Sequence, residues 1–290
     1  MRFPGIIPAV TTPFDATSAI DFDGLAGNVD ALLDAGVHGI VATGTMGEAG
    51  SLSIAERRAV VEAVVSAVDG RVPVIAGVSA GTPAAAIALA ADAAEAGVVA
   101  LMMLPPLGYR GDDEEIVAHY RSVAEAAGLP LMAYNNPEAS GVDMGPALLT
   151  RLYEEIDNVV AVKECSGDAR RIPALIEAAP GLEVLVGGDD WALEGFCAGA
   201  TGWVSGVADV APRDCVALYD ACRSSDLEMA RGIYRRLLPI ARFDMTPKLV
   251  QYFKAAMDEV GLAGGAVRPP RLELTEAERA ALSAAMAALN

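Results

Sequence analysis

Lysine is almost missing from this chain. Lys163, Lys248 and Lys254 are the only three in 290 residues, and every other basic residue is arginine. Histidine is scarcer, with His38 at a helix-to-strand turn and His119 in a helical stretch. A catalytic zinc takes several histidine or carboxylate ligands close together, so a hydrolytic metal site is not expected. The four cysteines, Cys165, Cys197, Cys215 and Cys222, show no CxxC spacing. They read as small, reduced core residues and not as disulfide or metal partners. Positive charge is short overall: the net charge of −18 argues against nucleic acid or an anionic membrane as partner. A small anionic substrate stays open, because a local site can oppose the global field. No apolar run approaches the roughly 20 residues of a membrane span; "VVALMMLPPLG" is the most apolar segment and is too short. The opening "MRFPGIIPAV" meets a proline at once and has no signal-peptide core. A soluble, cytoplasmic protein is expected.

What is present is one theme, repeated. The chain is 53% hydrophobic, enough for one large core. Strand candidates "GIIPAVTT", "GIVATG", "VPVIAGV", "VVALMML", "LPLMAYN", "VVAVKE", "LEVLVGG" and "TGWVSG" begin near residues 5, 39, 72, 98, 129, 159, 182 and 201. That spacing is the length of a strand–helix unit. Between them lie alanine-rich helical segments. Ser53 with Glu56 makes a capping box, and Thr82 followed by Pro83 makes an N-cap with proline at the first helical position. Eight units predict a (β/α)8 TIM barrel, an α/β fold, over residues 1–210. The rival, an open doubly wound sheet, lacks its glycine-rich phosphate fingerprint after the first strand, which reads "TTPFDATSAID". Residues 211–290 contain helical patterns only and predict a C-terminal helical extension packed on the barrel, as one structural unit.

Chemistry in such a barrel sits at the C-terminal ends of the strands. Lys248 and Lys254 fall on an amphipathic helix, where a solvated or capping role is expected. Lys163 interrupts the apolar run "VVAVKECSGD". Side chains alternate along a strand, so an inward Lys163 leaves Glu164 pointing outward. Burial disfavours the ammonium form and lowers its pKa, and a neutral amine attacks carbonyl carbon. The other reading is a lysine paired with Asp189 or Asp190 in the barrel mouth. Tyr134 in "YNNP" lies one strand away and can move protons, or be a core tyrosine with a hydrogen-bonded tip. Gly44 and Gly47 in "TGTMGE" let backbone N–H groups turn inward to hold a carboxylate, with Thr45 adding a hydroxyl.

These segments fall in order, each at its own strand end. "PAVTTPF", "GTMGE", "YNNP", "VKECSGD" and "GGDD" together resemble the dihydrodipicolinate synthase/N-acetylneuraminate lyase family of Schiff-base (class I) aldolases over essentially the whole chain. The resemblance implies that Lys163 forms an imine with C2 of a 2-oxo acid and that Tyr134 relays protons. It implies that Gly44, Thr45 and Met46 contact the substrate carboxylate and that Gly188 and Val204 line the pocket. It implies no cofactor, since the protonated imine is the electron sink, and a homotetramer built as a dimer of dimers.

The departures concern the substrate. Ala139 stands where the synthase branch carries an arginine for the aldehyde substrate's carboxylate. Met46 replaces a second threonine, and Tyr109 in "PPLGYR" is displaced by about one residue from the usual tyrosine after the fourth strand; it is kept with Lys163, Tyr134 and Thr45 as a catalytic candidate, in its own or a neighbouring subunit's pocket. "SGDARR" and "GWVSG" are similar to the deaminases acting on 1-pyrroline-4-hydroxy-2-carboxylate, which makes that compound the favoured substrate, with 2,5-dioxopentanoate and ammonia as products. The alternatives are a pyruvate-forming aldolase, a 4-hydroxy-tetrahydrodipicolinate synthase-like enzyme and a 2-keto-3-deoxy sugar acid dehydratase. A non-catalytic 2-oxo acid binder is a reading of another class, and a phosphate-binding barrel ranks last because Asp189 and Asp190 repel phosphate.

Overall fold

The computed structural model describes residues 2–289. Eight strands form a single parallel sheet: β1 (Gly5–Pro8), β2 (Ile40–Ala42), β3 (Val74–Gly77), β4 (Ala100–Met103), β5 (Leu131–Asn135), β6 (Val159–Glu164), β7 (Glu183–Val186) and β8 (Gly202–Ser205). Neighbours in sequence are neighbours in space, and β1 pairs with β8. The ring closes between β1 and β2 through one parallel bridge, Ala9 to Val41, where the Val10 N–H donates to the Val41 carbonyl at 3.0 Å. The fold is a (β/α)8 TIM barrel with C-terminal helices.

The strands form where branched and small apolar residues run together, and nearly every strand residue is buried, as a sheet covered on both faces requires. The expected helix signals are in place. Ser53 and Glu56 cap each other reciprocally, and Thr82 accepts from the Ala85 N–H with Pro83 in the first turn.

After β8, the helix Pro212–Arg223 packs against β1 and takes the eighth position around the ring. Three further helices follow, Leu227–Ala241, Leu249–Glu259 and Glu276–Met286. Between the first two of these, a single turn at Arg242–Met245 reaches the segment Asp189–Trp191 beyond β7. The C-terminal segment therefore comes to the mouth of the barrel, at the C-terminal ends of the strands. Among the described residues no helix is long and apolar enough to cross a membrane.

One lysine departs from expectation. Lys254 is neither solvated nor a cap but 1% exposed. Its ammonium donates to the Thr12 carbonyl at 2.9 Å, to Glu48 Oε1 at 3.0 Å and to the Ala266 carbonyl. Glu48 is itself fully buried, and its other oxygen accepts from the Arg268 N–H at 3.2 Å and faces Arg271 at 3.4 Å. A buried ammonium is tolerated when each proton has an acceptor. The helical pattern of "PKLVQYFKAAMDEVG" gives the right element, but Lys254 lies on its inner face because a carboxylate from the β2 loop meets it there.

Candidate active site

Lys163 is the fifth residue of β6, one step from the strand's end. The sheet register places it beside Tyr134 of β5 on one side and Leu185 of β7 on the other. Laterally paired residues point the same way, so the amine and the phenol share the barrel mouth. Lys163 Nζ lies 4.2 Å from the centre of the Tyr134 ring, and both side chains are nearly enclosed. Lys163 makes no ion pair with Asp189 or Asp190. Asp189 is instead spent inside the fold, accepting from Trp203 Nε1, Ser205 Oγ and the Gly206 N–H with Oδ1 and from the Val207 N–H with Oδ2.

Above the amine is a cavity of about 190 Å³. Lys163 and Tyr134 line it together with Gly44, Thr45, Met46 and Ala139, all expected there. Two expected positions differ. Gly187 lines the cavity in place of Gly188, where a side chain would strike the Trp191 indole instead. Val204 is fully buried below the mouth, and Gly206 takes the lining position two residues later. Tyr109 does not reach the cavity of its own chain. It is 54% exposed, and its hydroxyl is held at 2.9 Å by Glu115, the residue that closes the capping box with Asp112.

The β2 loop turns differently from expectation. Gly44 and Gly47 do not carry the left-handed backbone; Thr43 (φ 53°) and Glu48 (φ 51°) do. Such conformations are costly for a β-branched residue and persist only when neighbours enforce them. Glu48 is enforced by Lys254, and Thr43 by its hydroxyl bond to the Gly77 carbonyl at 3.2 Å. The glycines supply room: a side chain on Gly47 would press the Val10 carbonyl at 3.1 Å.

Three residues of the site escape sequence reasoning. Asn136 donates from Nδ2 to the Tyr134 hydroxyl at 3.0 Å, while its Oδ1 accepts from the Ala139 N–H, starting the turn Pro137–Ser140. The doubled asparagine of "YNNP" is the available signal, because Asn135 serves a separate buried network with Glu164 and Asp143. Cys165, expected in the core, lines the cavity, and burial pushes its thiol pKa up, leaving it a poor nucleophile. Asp244 lines the same cavity from the C-terminal segment.

The electrostatics correct the expectation for the amine. Desolvation is the largest influence on Lys163 and lowers its pKa. Tyr134, Cys165 and Asp244 oppose it, and the net direction is upward. Tyr134 is pushed up to about 12 by burial, against the pull of the Lys163 cation. In the free protein the phenol is therefore protonated and the amine is a cation, held beside a proton carrier that can take up and return its proton. Replacing Tyr134 by phenylalanine is expected to leave borohydride-trappable imine in place while turnover drops about 10²–10⁴-fold, the scale of a lost acid–base group. Single-turnover trapping beside steady-state rates separates the two.

A barrel whose mouth sets a buried lysine and a tyrosine side by side has the arrangement of the Schiff-base aldolases. The comparisons agree: residues 2–289 match the model of the dihydrodipicolinate synthetase family, and the chain belongs to that family. It is 39% identical to the 4-hydroxy-tetrahydrodipicolinate synthase of Methanopyrus kandleri over 277 residues, 95% of this chain and 92% of that one. Its structure is similar to a putative dihydrodipicolinate synthetase from Pseudomonas aeruginosa, with a TM-score of 0.95, 37% identity and full coverage of both chains. It is also similar to YagE, a family member from E. coli K12 solved in complex with pyruvate, with a TM-score of 0.94, 30% identity and coverage of 99% and 98%. The family is one of lyases that work through a lysine Schiff base without an external cofactor.

Proposed function

We propose that this chain is a pyruvate-using aldolase, a lyase that makes or breaks a carbon–carbon bond at C3 of a 2-oxo acid held on Lys163. The lateral register of Lys163 with Tyr134 at the cavity floor carries the reading. Lys163 attacks C2 and water departs. Tyr134 relays the protons, loss of a C3 proton gives the enamine, and the enamine adds to an aldehyde. The Gly44–Met46 loop, across the mouth from β6, receives the carboxylate. The synthase name of the curated relatives supports carbon–carbon chemistry.

The acceptor is expected to differ from a second carboxylate compound. The turn Pro137–Ser140 brings no cation to the cavity: Glu138 and Ala139 line it instead. A neutral or hydroxylated aldehyde suits that wall better, since a carboxylate there meets like charge. The second reading, deamination of 1-pyrroline-4-hydroxy-2-carboxylate, is supported by Met46, which lines the cavity with a thioether in place of a hydroxyl. It receives no support from the names of the relatives. The homotetramer implied by the family resemblance belongs to the same proposal.

Borohydride trapping with pyruvate tests the imine, and a pyruvate-coupled assay over a panel of 4-hydroxy-2-oxo acids tests the bond cleaved. A pyruvate adduct on the Lys163 peptide with pyruvate release is the expected result. Ammonia release from the pyrroline compound without pyruvate would favour the deaminase. No adduct with pyruvate, the 4-hydroxy-2-oxo acids or the pyrroline compound would sink both.

A further inference from the structure

Asp244 has no part in the chemistry outlined so far, yet it lines the cavity that holds Lys163, and its carboxylate and the Lys163 ammonium are near enough to act on each other's pKa. Its place follows from the turn Arg242–Met245. Phe243 stacks on Tyr252 with ring centres 3.9 Å apart, and the Thr246 hydroxyl donates to the Phe243 carbonyl at 2.8 Å, so the turn is fixed from both sides. Asp244 Oδ2 accepts the Asp189 N–H at 3.1 Å, which sets the carboxylate over the end of β7. Among the described residues Oδ1 has no donor. Tyr134 stands on β5, so the strand that carries Lys163 is flanked by a phenol on one side and a carboxylate on the other.

A carboxylate fixed this way is too well placed for a solubility device and lacks the cationic partner of a structural one: it forms no ion pair within 4.0 Å. We infer that Asp244 is a catalytic residue, the group that exchanges a proton with the oxygen at C4 of the imine-bound chain. This rests on the aldolase reading above. In the addition direction the enamine carbon C3 bonds to the aldehyde carbon. The carbonyl π pair moves to oxygen, that oxygen takes the proton of the Asp244 carboxyl, and the nitrogen becomes the iminium. In cleavage the Asp244 carboxylate removes the C4 hydroxyl proton, the oxygen lone pair forms the carbonyl, and the C3–C4 pair passes into the enamine. Tyr134 then stays with the protons of imine formation and of C3, and the two acid–base tasks are divided between the two flanks of the lysine.

The environment suits a group that must hold and release a proton near neutrality. Burial raises the Asp244 pKa to about 6, with the Asp189 N–H and the Lys163 cation pulling the other way and Asp190 and Glu138 adding to the rise. Tyr134, Cys165 and Asp189 complete the titratable groups that sense it. Cleavage needs the carboxylate, so the rate of cleavage is present above that pKa and is lost as pH falls through it.

The experiment uses the full chain with Asp244→Asn and Asp244→Glu, and the 4-hydroxy-2-oxo acid that the wild type cleaves fastest. Wild-type kcat/KM for pyruvate release is expected to show an acid limb near pH 6. The Asp244→Asn change is expected to lower turnover about 10²–10⁴-fold and abolish the limb, with borohydride trapping of pyruvate retained. The glutamate variant is expected to recover part of the rate and to restore a limb. Turnover within a few-fold of wild type, or a slow asparagine variant that keeps the limb, overturns the assignment. So does loss of trapping together with turnover, which would place Asp244 in imine formation. A wild type that traps no pyruvate defeats the aldolase reading first, and this one with it.

Discussion

Replacing Lys163 by arginine is expected to abolish the trapped adduct and lower turnover on the order of 10⁴–10⁶-fold, the scale seen when a covalent nucleophile is lost. The guanidinium keeps the positive charge that Tyr134 and Asp244 face, so the local field is preserved. It stays protonated at any working pH and has no free lone pair to attack C2. Space is the remaining concern, because a side chain on Gly187 would come within 3.0 Å of Lys163 Cε. The cavity of about 190 Å³ above the amine takes the larger group. Lys163→Met, which follows the same stem without charge, provides the second variant, and thermal melting of both checks the fold. The scarcity of lysine makes the assignment clean. Lys248 is paired with Glu278 at 2.7 Å and Lys254 is enclosed, so an adduct mapped to either of them would overturn the placement of the imine. Since the field around Lys163 raises its pKa, the neutral amine is a minor form near pH 7, and trapping is expected to quicken as pH rises.

The second large effect concerns stability. Lys254→Met is expected to destabilise the protein by about 3–5 kcal/mol, the cost of leaving a buried charge without its partner. Glu48 would keep the Arg268 N–H and the more distant Arg271 but lose its shortest contact, the Lys254 ammonium at 3.0 Å. The Thr12 and Ala266 carbonyls would lose a donor as well. For a domain this large each kcal/mol lowers Tm by roughly 2–4 °C, which calorimetry resolves easily. Adding Glu48→Gln removes the stranded charge, so the double variant is expected to lose less than the sum of the singles, with a coupling of about 0.5–3 kcal/mol. Strict additivity would mean that the pair does not act as a unit.

How far the chain could be read from its sequence depends on how local each signal is. Ser53 with Glu56, and Thr82 with the Ala85 N–H behind Pro83, cap helices through contacts three residues apart, and local chemistry of this kind is legible. Lys163 and Tyr134 were legible for another reason: a charged or polar residue ending a buried strand has few places to go. Asp244 and Lys254 were not. Each lies in a polar–apolar pattern that any surface helix or turn could show, and its role is set by partners far along the chain, Asp189 for one and Glu48 for the other. The upward shift of the Lys163 pKa was hidden as well, since burial can be inferred from a strand but the combined opposition of Tyr134, Cys165 and Asp244 depends on how closely the fold gathers them. Tyr109 sits outside the mouth of its own chain because its neighbours Asp112 and Glu115 build a helix start that holds the phenol there, a contact six residues long that the strand pattern does not announce.

The thin join between β1 and β2 has a consequence for how the chain is made. Thr12 follows the first strand and Glu48 the second, and the ammonium that bridges them belongs to Lys254. Both edges of that join leave the ribosome early, while the residue that latches them emerges near the end of synthesis. The β2 loop at the mouth can therefore take its final shape only after the C-terminal helices are available, and a nascent chain stalled before Lys254 would carry an unlatched mouth.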